Sequence, residues 1–136
     1  MGATLDDVSR IAAGLPGSEQ KTSGGGFAWF VRRKPFAWES VPWPSEAEHV
    51  RMIVSSELCI GVSVPDEDDK VALVQGWPDA FVMSETKWGG PKIIIRLGAV
   101  DPTHLVELVT ESWRLHAPKY LRDEFDRAEV SRADGT

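Results

Sequence analysis

The sequence predicts an α+β fold: a two-layer sandwich with an antiparallel sheet of about five strands and helices packed on one face. Two patterns support this class. Apolar residues alternate with period two in several short segments, of which 58–64 is the clearest, whereas 105–116 carries apolar residues at helical spacing. The strand segments are mostly linked as hairpins, and hairpins join antiparallel neighbours.

The chain is long enough for one hydrophobic core. Its 136 residues are 42% hydrophobic, and a chain of this length usually folds as one domain. We expect a single domain over residues 1–128 and a flexible C-terminal tail over 129–136. The sequence shows no membrane-spanning apolar run and no signal peptide, and Cys59 is its one cysteine. We therefore expect a cytoplasmic protein with no membrane partner.

The N-terminal segment predicts a capped helix followed by a loop. Thr4 suits the N-cap position because Asp7 follows three residues later, and the helix should end at the glycine and proline run 14–17. The polar run SEQKTSGGG, residues 18–26, predicts a flexible connection. Its three glycines are too few and too irregular for a phosphate-binding loop.

A β-hairpin is predicted over residues 27–39, FAWFVRRKPFAWE. Its two strands alternate large and small residues, and the basic segment 32–35 between them is short enough for a tight turn. In this register the large residues of both strands face the helices: Phe27, Trp29, Phe36 and Trp38.

The central segment predicts two helices and a strand. Ser45 and Glu48 have capping-box spacing, so a short helix should begin near Ser45. The strand 58–64 follows. Four acidic residues then come after Pro65, and they suit the first turn of a helix because the helix dipole favours negative charge there. A metal-binding carboxylate cluster is the alternative interpretation, although adjacent residues point in different directions.

The C-terminal third predicts two short strands and two helices. The strands are 81–84 and 92–97, joined by a loop. Asp101 can cap a helix with Pro102 at its first position, and that helix should reach His116. A final helix should run from Lys119 to about Arg127.

Four motifs in this order resemble the MmcQ/YjbR family: LPG, KPFAW, GGPKIIIRL and ESWRLHAPKYL, spread over roughly residues 5–126. The resemblance implies a frataxin-like α+β fold. It also implies putative DNA binding, a description that rests on a "double-wing" structural analogy, with no cofactor and no catalytic residues. Many relatives carry a histidine before the last strand, whereas this chain has TKWGGP with Thr86 at that place.

The residues show no assembled catalytic or metal-binding motif, so we expect a binding module and no enzyme. His49, His104 and His116 lack metal-ligand spacing, and no P-loop, dinucleotide or nucleophile-elbow motif is present. A Cys–His pair built on Cys59 remains open, although a cysteine inside a strand is usually inert. We predict no cofactor, no metal and no catalytic residue.

The candidate binding residues fall into two groups. The first is basic: Arg32, Arg33 and Lys34 at the hairpin turn, aided by Lys87, Lys92 and Arg96, with Trp88 nearby. The second is the alternate face of the sheet, which a two-layer fold leaves open. There Phe30 and Ile94 would supply apolar contacts, and Lys92 and Arg96 would contact anions. The other interpretation of that face is a partly exposed surface or one covered by a dimer partner.

Two functions follow from these groups. The first is weak, salt-sensitive nucleic-acid binding, in which three phosphate contacts give a salt slope of roughly −3. The second is binding of a protein or a small ligand on the open sheet face. The net charge of −6 disfavours general attraction to nucleic acid and leaves room for a local basic patch.

Overall fold

The computed structural model describes residues 2–23, 26–84 and 90–134 and shows one antiparallel sheet with five helices. In chain order the elements are α1 (Leu5–Ala13), β1 (Ser18–Ser23), β2 (Gly26–Val31), β3 (Lys34–Glu39), α2 (Glu48–Ser56), β4 (Cys59–Ser63), α3 (Glu67–Gly76), β5 (Phe81–Met83), β6 (Lys92–Arg96), α4 (Pro102–His116) and α5 (Lys119–Asp134). The spatial order of the strands is β1-β2-β3-β4-β6-β5. The predicted α+β class is confirmed, with six strands among the described residues.

Local sequence signals set the starts of three helices. Thr4 and Asp7 form the predicted capping box at α1, each accepting a hydrogen bond from the other's backbone N–H. Asp66 caps α3 by accepting from Asp69 N, and the acids that follow lie in the first turn, as the dipole argument predicts. Asp101 caps α4 in the same way, with Pro102 at its first position.

Two predicted boundaries are corrected. Residues 18–23 form the edge strand β1 instead of the predicted flexible connection. Their backbone pairs with β2, from the pair Ser18–Val31 to the pair Ser23–Gly26. A polar edge strand lacks the alternating apolar residues from which strands are predicted. Polar residues at a sheet edge also discourage pairing with other chains. Helix α2 begins at Glu48 and not near Ser45, and Ala47 at its N-cap makes no side-chain capping bond. Glu46 precedes the helix and accepts a hydrogen bond from Ser84 Oγ at 3.1 Å.

One face of the sheet, here called the first face, carries the main core. Ile60, Val62, Ile93 and Ile95 point from it toward α1, α3, α4 and α5. The helices contribute buried apolar residues: Val8, Ala12, Leu105, Val109, Trp113 and Leu121. Helix α5 continues to Asp134, past the predicted end near Arg127.

A β-bulge in the hairpin changes which side chains face the core. Trp29 pairs with Ala37 and Phe30 with Pro35, so Phe36 is an extra residue on β3. Phe36 and Ala37 are both fully buried in the main core. Trp38 therefore points to the opposite face, where it covers Gly61; a Cβ at Gly61 would overlap the indole. The prediction that Trp38 faces the main core is wrong for this reason.

The opposite face, here called the second face, is covered by α2 where β4, β5 and β6 lie. Val50 and Val54 of that helix pack on Cys59, Val82 and Ile94 of the sheet. Among the described residues, no helix is long and apolar enough to cross a membrane. The prediction of an open sheet face is therefore wrong for β4, β5 and β6, because the apolar residues of α2 at positions 50, 53 and 54 pack against them.

Candidate functional site

The hairpin between β2 and β3 presents the predicted basic residues at a two-residue turn. Arg32 and Arg33 have φ values of 50° and 71°, which is the left-handed conformation that the type I′ turn of a tight hairpin requires. Glycine and asparagine normally occupy such positions, since other residues are strained there. We call Arg32, Arg33 and Lys34 the hairpin tip. All three side chains are exposed.

Arg32 is held against the last helix. Its Nη1 donates a hydrogen bond of 2.6 Å to the Tyr120 hydroxyl, and its guanidinium carbon lies 5.9 Å from the centre of that ring. These contacts fix the hairpin tip beside the junction of α4 and α5. Within the described part of the chain, no carboxylate lies within 4.0 Å of a hairpin-tip cation. The three positive charges therefore remain available to an anion.

Lys34 lies beside a buried hydrogen-bond network that ties β3 to β4. Beyond the pair Ala37–Val62 the two strands separate. Ser112 of α4 bridges them, because its hydroxyl donates to Phe36 O at 2.5 Å and accepts from Ser63 N at 2.9 Å. Ser63 Oγ in turn lies 2.9 Å from His116 Nε2. Burial lowers the pKa of His116, and the nearby charge of Lys34 lowers it further.

Arg96 does not join the hairpin tip. It pairs with Cys59 at the start of β4, whereas the hairpin tip lies beyond the end of that strand. Its guanidinium binds Glu57 through two hydrogen bonds of 2.9 and 2.7 Å. This pairing lowers the pKa of Glu57 and raises that of Arg96. Its charge is therefore neutralised in a partly exposed ion pair, which disfavours Arg96 as a member of the predicted anion-binding group.

The remaining residues that were predicted to bind a partner are buried, are half-buried or lie outside the described residues. Ile94 lies under α2 with 6% exposure, so it offers no surface contact. Phe30 is half-buried on β2, with Nζ of Lys21 from the edge strand β1 5.4 Å from its ring centre. Lys92 is half-buried, its Nζ donates to Gly90 O, and burial followed by the charge of Lys70 lowers its pKa. Lys87 and Trp88 lie outside the described residues.

The hypothesised Cys–His pair is not assembled. Cys59 begins β4 and is buried under α2, whereas His116 contacts Ser63 at the other end of the strand. Burial, aided by the charge of Glu57, raises the pKa of the Cys59 thiol to about 11. A thiol with this pKa is a poor nucleophile. Among the described residues, no three His, Cys, Asp or Glu side chains are placed to hold a metal ion.

Sequence reasoning missed Tyr120 and the Ser63–Ser112–His116 network. A signal existed for the network, since Ser112 falls on the apolar stripe of α4, and a hydroxyl buried there must find a partner. The residues that neighbour Ser112 along the chain gave no indication of its partners, which lie 49 and 76 residues away. Tyr120 offered no such signal, because its contact with Arg32 spans 88 residues.

The comparisons with known proteins identify relatives that match about nine tenths of the chain. No known family model matches. Uncharacterized protein Rv2570 of Mycobacterium tuberculosis is 36% identical over 126 residues, which cover 90% of this chain and 95% of that protein, and uncharacterized protein Mb2600 of Mycobacterium bovis matches equally. The crystal structure of Deinococcus radiodurans protein DR2400, a DUF419 domain, has a TM-score of 0.65 at 18% identity, covers 91% of this chain and 88% of that one, and shows the same fold. The chain belongs to the family of these uncharacterized mycobacterial proteins.

Proposed function

We propose that this protein is a non-enzymatic binding module that holds nucleic acid weakly through the hairpin tip. The observation that carries the proposal is the pair of arginines in left-handed conformation, Arg32 and Arg33. Glycine would be more stable at each place, by about 1 kcal/mol. Strained residues concentrate at functional sites, so two cations kept at strained positions favour a role in binding anions.

The surroundings of the hairpin tip support phosphate contact over base recognition. Arg32 is positioned by Tyr120, and Arg33 and Lys34 project from the turn without a carboxylate partner among the described residues. Contacts of this kind bind the backbone of any sequence. Three contacts give a salt slope of roughly −3, so binding should be strongest at low salt.

The resemblance to the MmcQ/YjbR family supports the same proposal, because that family is commonly described as DNA-binding through its double-wing analogy. A cytoplasmic location, expected from the single Cys59, would expose the protein to nucleic acid. The competing function, ligand binding on an open sheet face, is less favoured because α2 covers Ile94 and Cys59.

Fluorescence anisotropy with labelled duplex and single-stranded DNA tests the proposal. The test variant is Arg33→Gln/Lys34→Gln, which removes two charges from the hairpin tip. The matched control is Arg10→Gln/Lys21→Gln, which removes two charges from α1 and β1, where each cation already lies near an acid. The test variant should reduce the salt slope on duplex DNA from roughly −3 to roughly −1. The control should keep the parent slope.

Two outcomes would overturn the proposal. One is the absence of binding to either DNA at low salt. The other is an equal loss of affinity in both double variants, because that would trace binding to net charge rather than to the hairpin tip.

A further inference from the structure

A second surface feature lies between α3 and α4. A cavity of about 220 Å³ opens there, next to the end of β4. Its lining includes the apolar residues Val64, Leu73 and Leu108. The other lining residues are Ser63, Pro65, Asp69, Ala72, Trp77 and Glu111. The cavity is smaller than the 300–1,000 Å³ typical of drug-sized ligand sites. At about 30 Å³ for each water-sized group, it has room for roughly seven such groups.

Trp77 is an exposed aromatic residue held in a fixed position. Its side chain is 52% exposed, yet two rings pack against it at steep angles. His104 lies 4.6 Å away at 67°, and Phe81 lies 6.3 Å away at 87°. Edge-to-face contacts of this kind orient a ring. A large indole that is both half-exposed and fixed at a cavity is suited to contact a ligand.

The charged groups of the cavity are both carboxylates. Asp69 lies in the first turn of α3 and Glu111 lies on α4, so the two acids come from different helices. In the described chain no lysine, arginine or histidine lies within 4.0 Å of either carboxylate. Lys70, the nearest cation along α3, is 4% exposed and pairs with Glu67. The hydrogen bond to Asp126 raises the pKa of Arg114 and Glu111 helps to raise it, but that guanidinium forms its ion pair with Asp126. Among the described residues, the two cavity carboxylates therefore lack a direct ion-pair partner.

We propose that the α3–α4 cavity binds a small organic cation, an alkylammonium compound whose chain lies on the apolar lining. The ammonium group would be attracted by Asp69 and Glu111 and by the face of Trp77, since indole is the strongest aromatic partner of cations. The alkyl chain would be removed from water by Leu73 and Leu108. Anionic ligands are disfavoured because both carboxylates repel them. This inference is independent of nucleic-acid binding at the hairpin tip.

Three probes that differ in one group test the proposal on the full chain. They are n-pentylamine, 1-pentanol and pentanoate, which are positive, neutral and negative at pH 7 and share the same length. Each is titrated while the six indole N–H signals are followed by ¹H–¹⁵N NMR, with Trp77 assigned by the Trp77→Leu variant. Pentylamine should shift the Trp77 signal saturably, with a dissociation constant on the order of millimolar. Pentanol should bind about tenfold more weakly and pentanoate should not bind.

Matched variants separate the cavity from overall charge. Asp69→Asn/Glu111→Gln removes the two cavity carboxylates and should weaken pentylamine binding roughly tenfold, the sum of two moderate ion-pair contributions. Asp68→Asn/Glu107→Gln removes two exposed acids from the same two helices outside the cavity. This control should bind as the parent does. All of these residues are exposed, so both variants should fold.

The proposal fails if pentanol binds as tightly as pentylamine, because the cavity would then be merely apolar. Equal weakening in the two double variants would also overturn it, since the effect would come from net charge. The absence of a saturable shift of the Trp77 signal at tens of millimolar pentylamine would also overturn the proposal.

Discussion

The hairpin tip and the α3–α4 cavity differ in sign of charge and in how the chain builds them. The hairpin tip consists of three consecutive residues, Arg32 to Lys34, displayed by one turn. The cavity takes Asp69, Trp77 and Glu111 from segments that only the tertiary fold brings together. A chain of net charge −6 therefore carries a local cationic turn as well as an acidic cavity.

The two regions are connected through Ser112. Its hydroxyl joins Phe36 O, two residues from Lys34, to Ser63 N, and Ser63 lines the cavity. Both bonds are buried. A change at Ser112 should therefore affect both regions at once, whereas changes at either region should stay local.

The largest expected effect is that of Ser112→Ala. The substitution leaves Ser63 N–H and Phe36 C=O without their buried partner, and each loss costs about 1–3 kcal/mol. We expect the free energy of unfolding to fall by about 2–4 kcal/mol, measured by urea denaturation. Thr110→Ala on the same helix is the control and should change stability by less than about 0.5 kcal/mol. A small effect of Ser112→Ala would show that β3 and β4 do not need this bridge.

Arg33→Gly should change the free energy of unfolding by a smaller amount and should increase it. Glycine adopts the left-handed turn without strain, so the melting temperature should rise, corresponding to about 1 kcal/mol. The same change removes a phosphate contact, so DNA binding should weaken and the salt slope should lose about one unit. Arg33→Ala is the control, because it removes the same charge and keeps the strain. If Arg33→Gly gives no gain in stability over Arg33→Ala, the argument from strain is wrong.

The smallest expected effect is a pH dependence of stability due to His116. Its folded pKa lies below the ordinary 6.5, chiefly through burial and then through Lys34. The unfolded chain therefore binds a proton at a higher pH than the folded protein does. Stability should fall as pH drops below about 6.5 and level off once pH is below the folded pKa.

His116→Gln should remove this part of the pH dependence, as measured by thermal unfolding between pH 7.5 and about 5. Lys34→Gln should reduce it, because it removes one of the two causes of the lowered pKa. A His116→Gln profile that matches the parent's would contradict the assignment.

Much of the fold follows from short-range signals. Caps at Thr4 and Asp101 and the acidic first turn after Pro65 placed three helix starts correctly, because caps and dipole effects act within one turn of the helix start. The hairpin and its basic turn were likewise visible, since the turn is a local structure. Edge strand β1 was not predicted, because one-sided backbone pairing does not require apolar residues.

The candidate site was only partly predictable, and Arg96 and Ile94 show why. The strand that carries both residues was correctly predicted. However, the charge of Arg96 depends on Glu57 and the exposure of Ile94 depends on α2, and both of these lie far along the chain. The bulge at Phe36 similarly moved Trp38 to the second face. A single extra residue reverses every later side chain on a strand, and periodicity alone does not reveal where it falls.

The sequence by itself determined the α+β class, the helix caps and the basic hairpin turn, since each depends on neighbours within a few residues. Only the tertiary structure decided that α2 covers part of the second face, that Arg96 is neutralised and that Ser112 joins two strands. It also created the α3–α4 cavity. These features depend on contacts between distant segments, whose geometry is set by the packing of the whole chain rather than by local propensity.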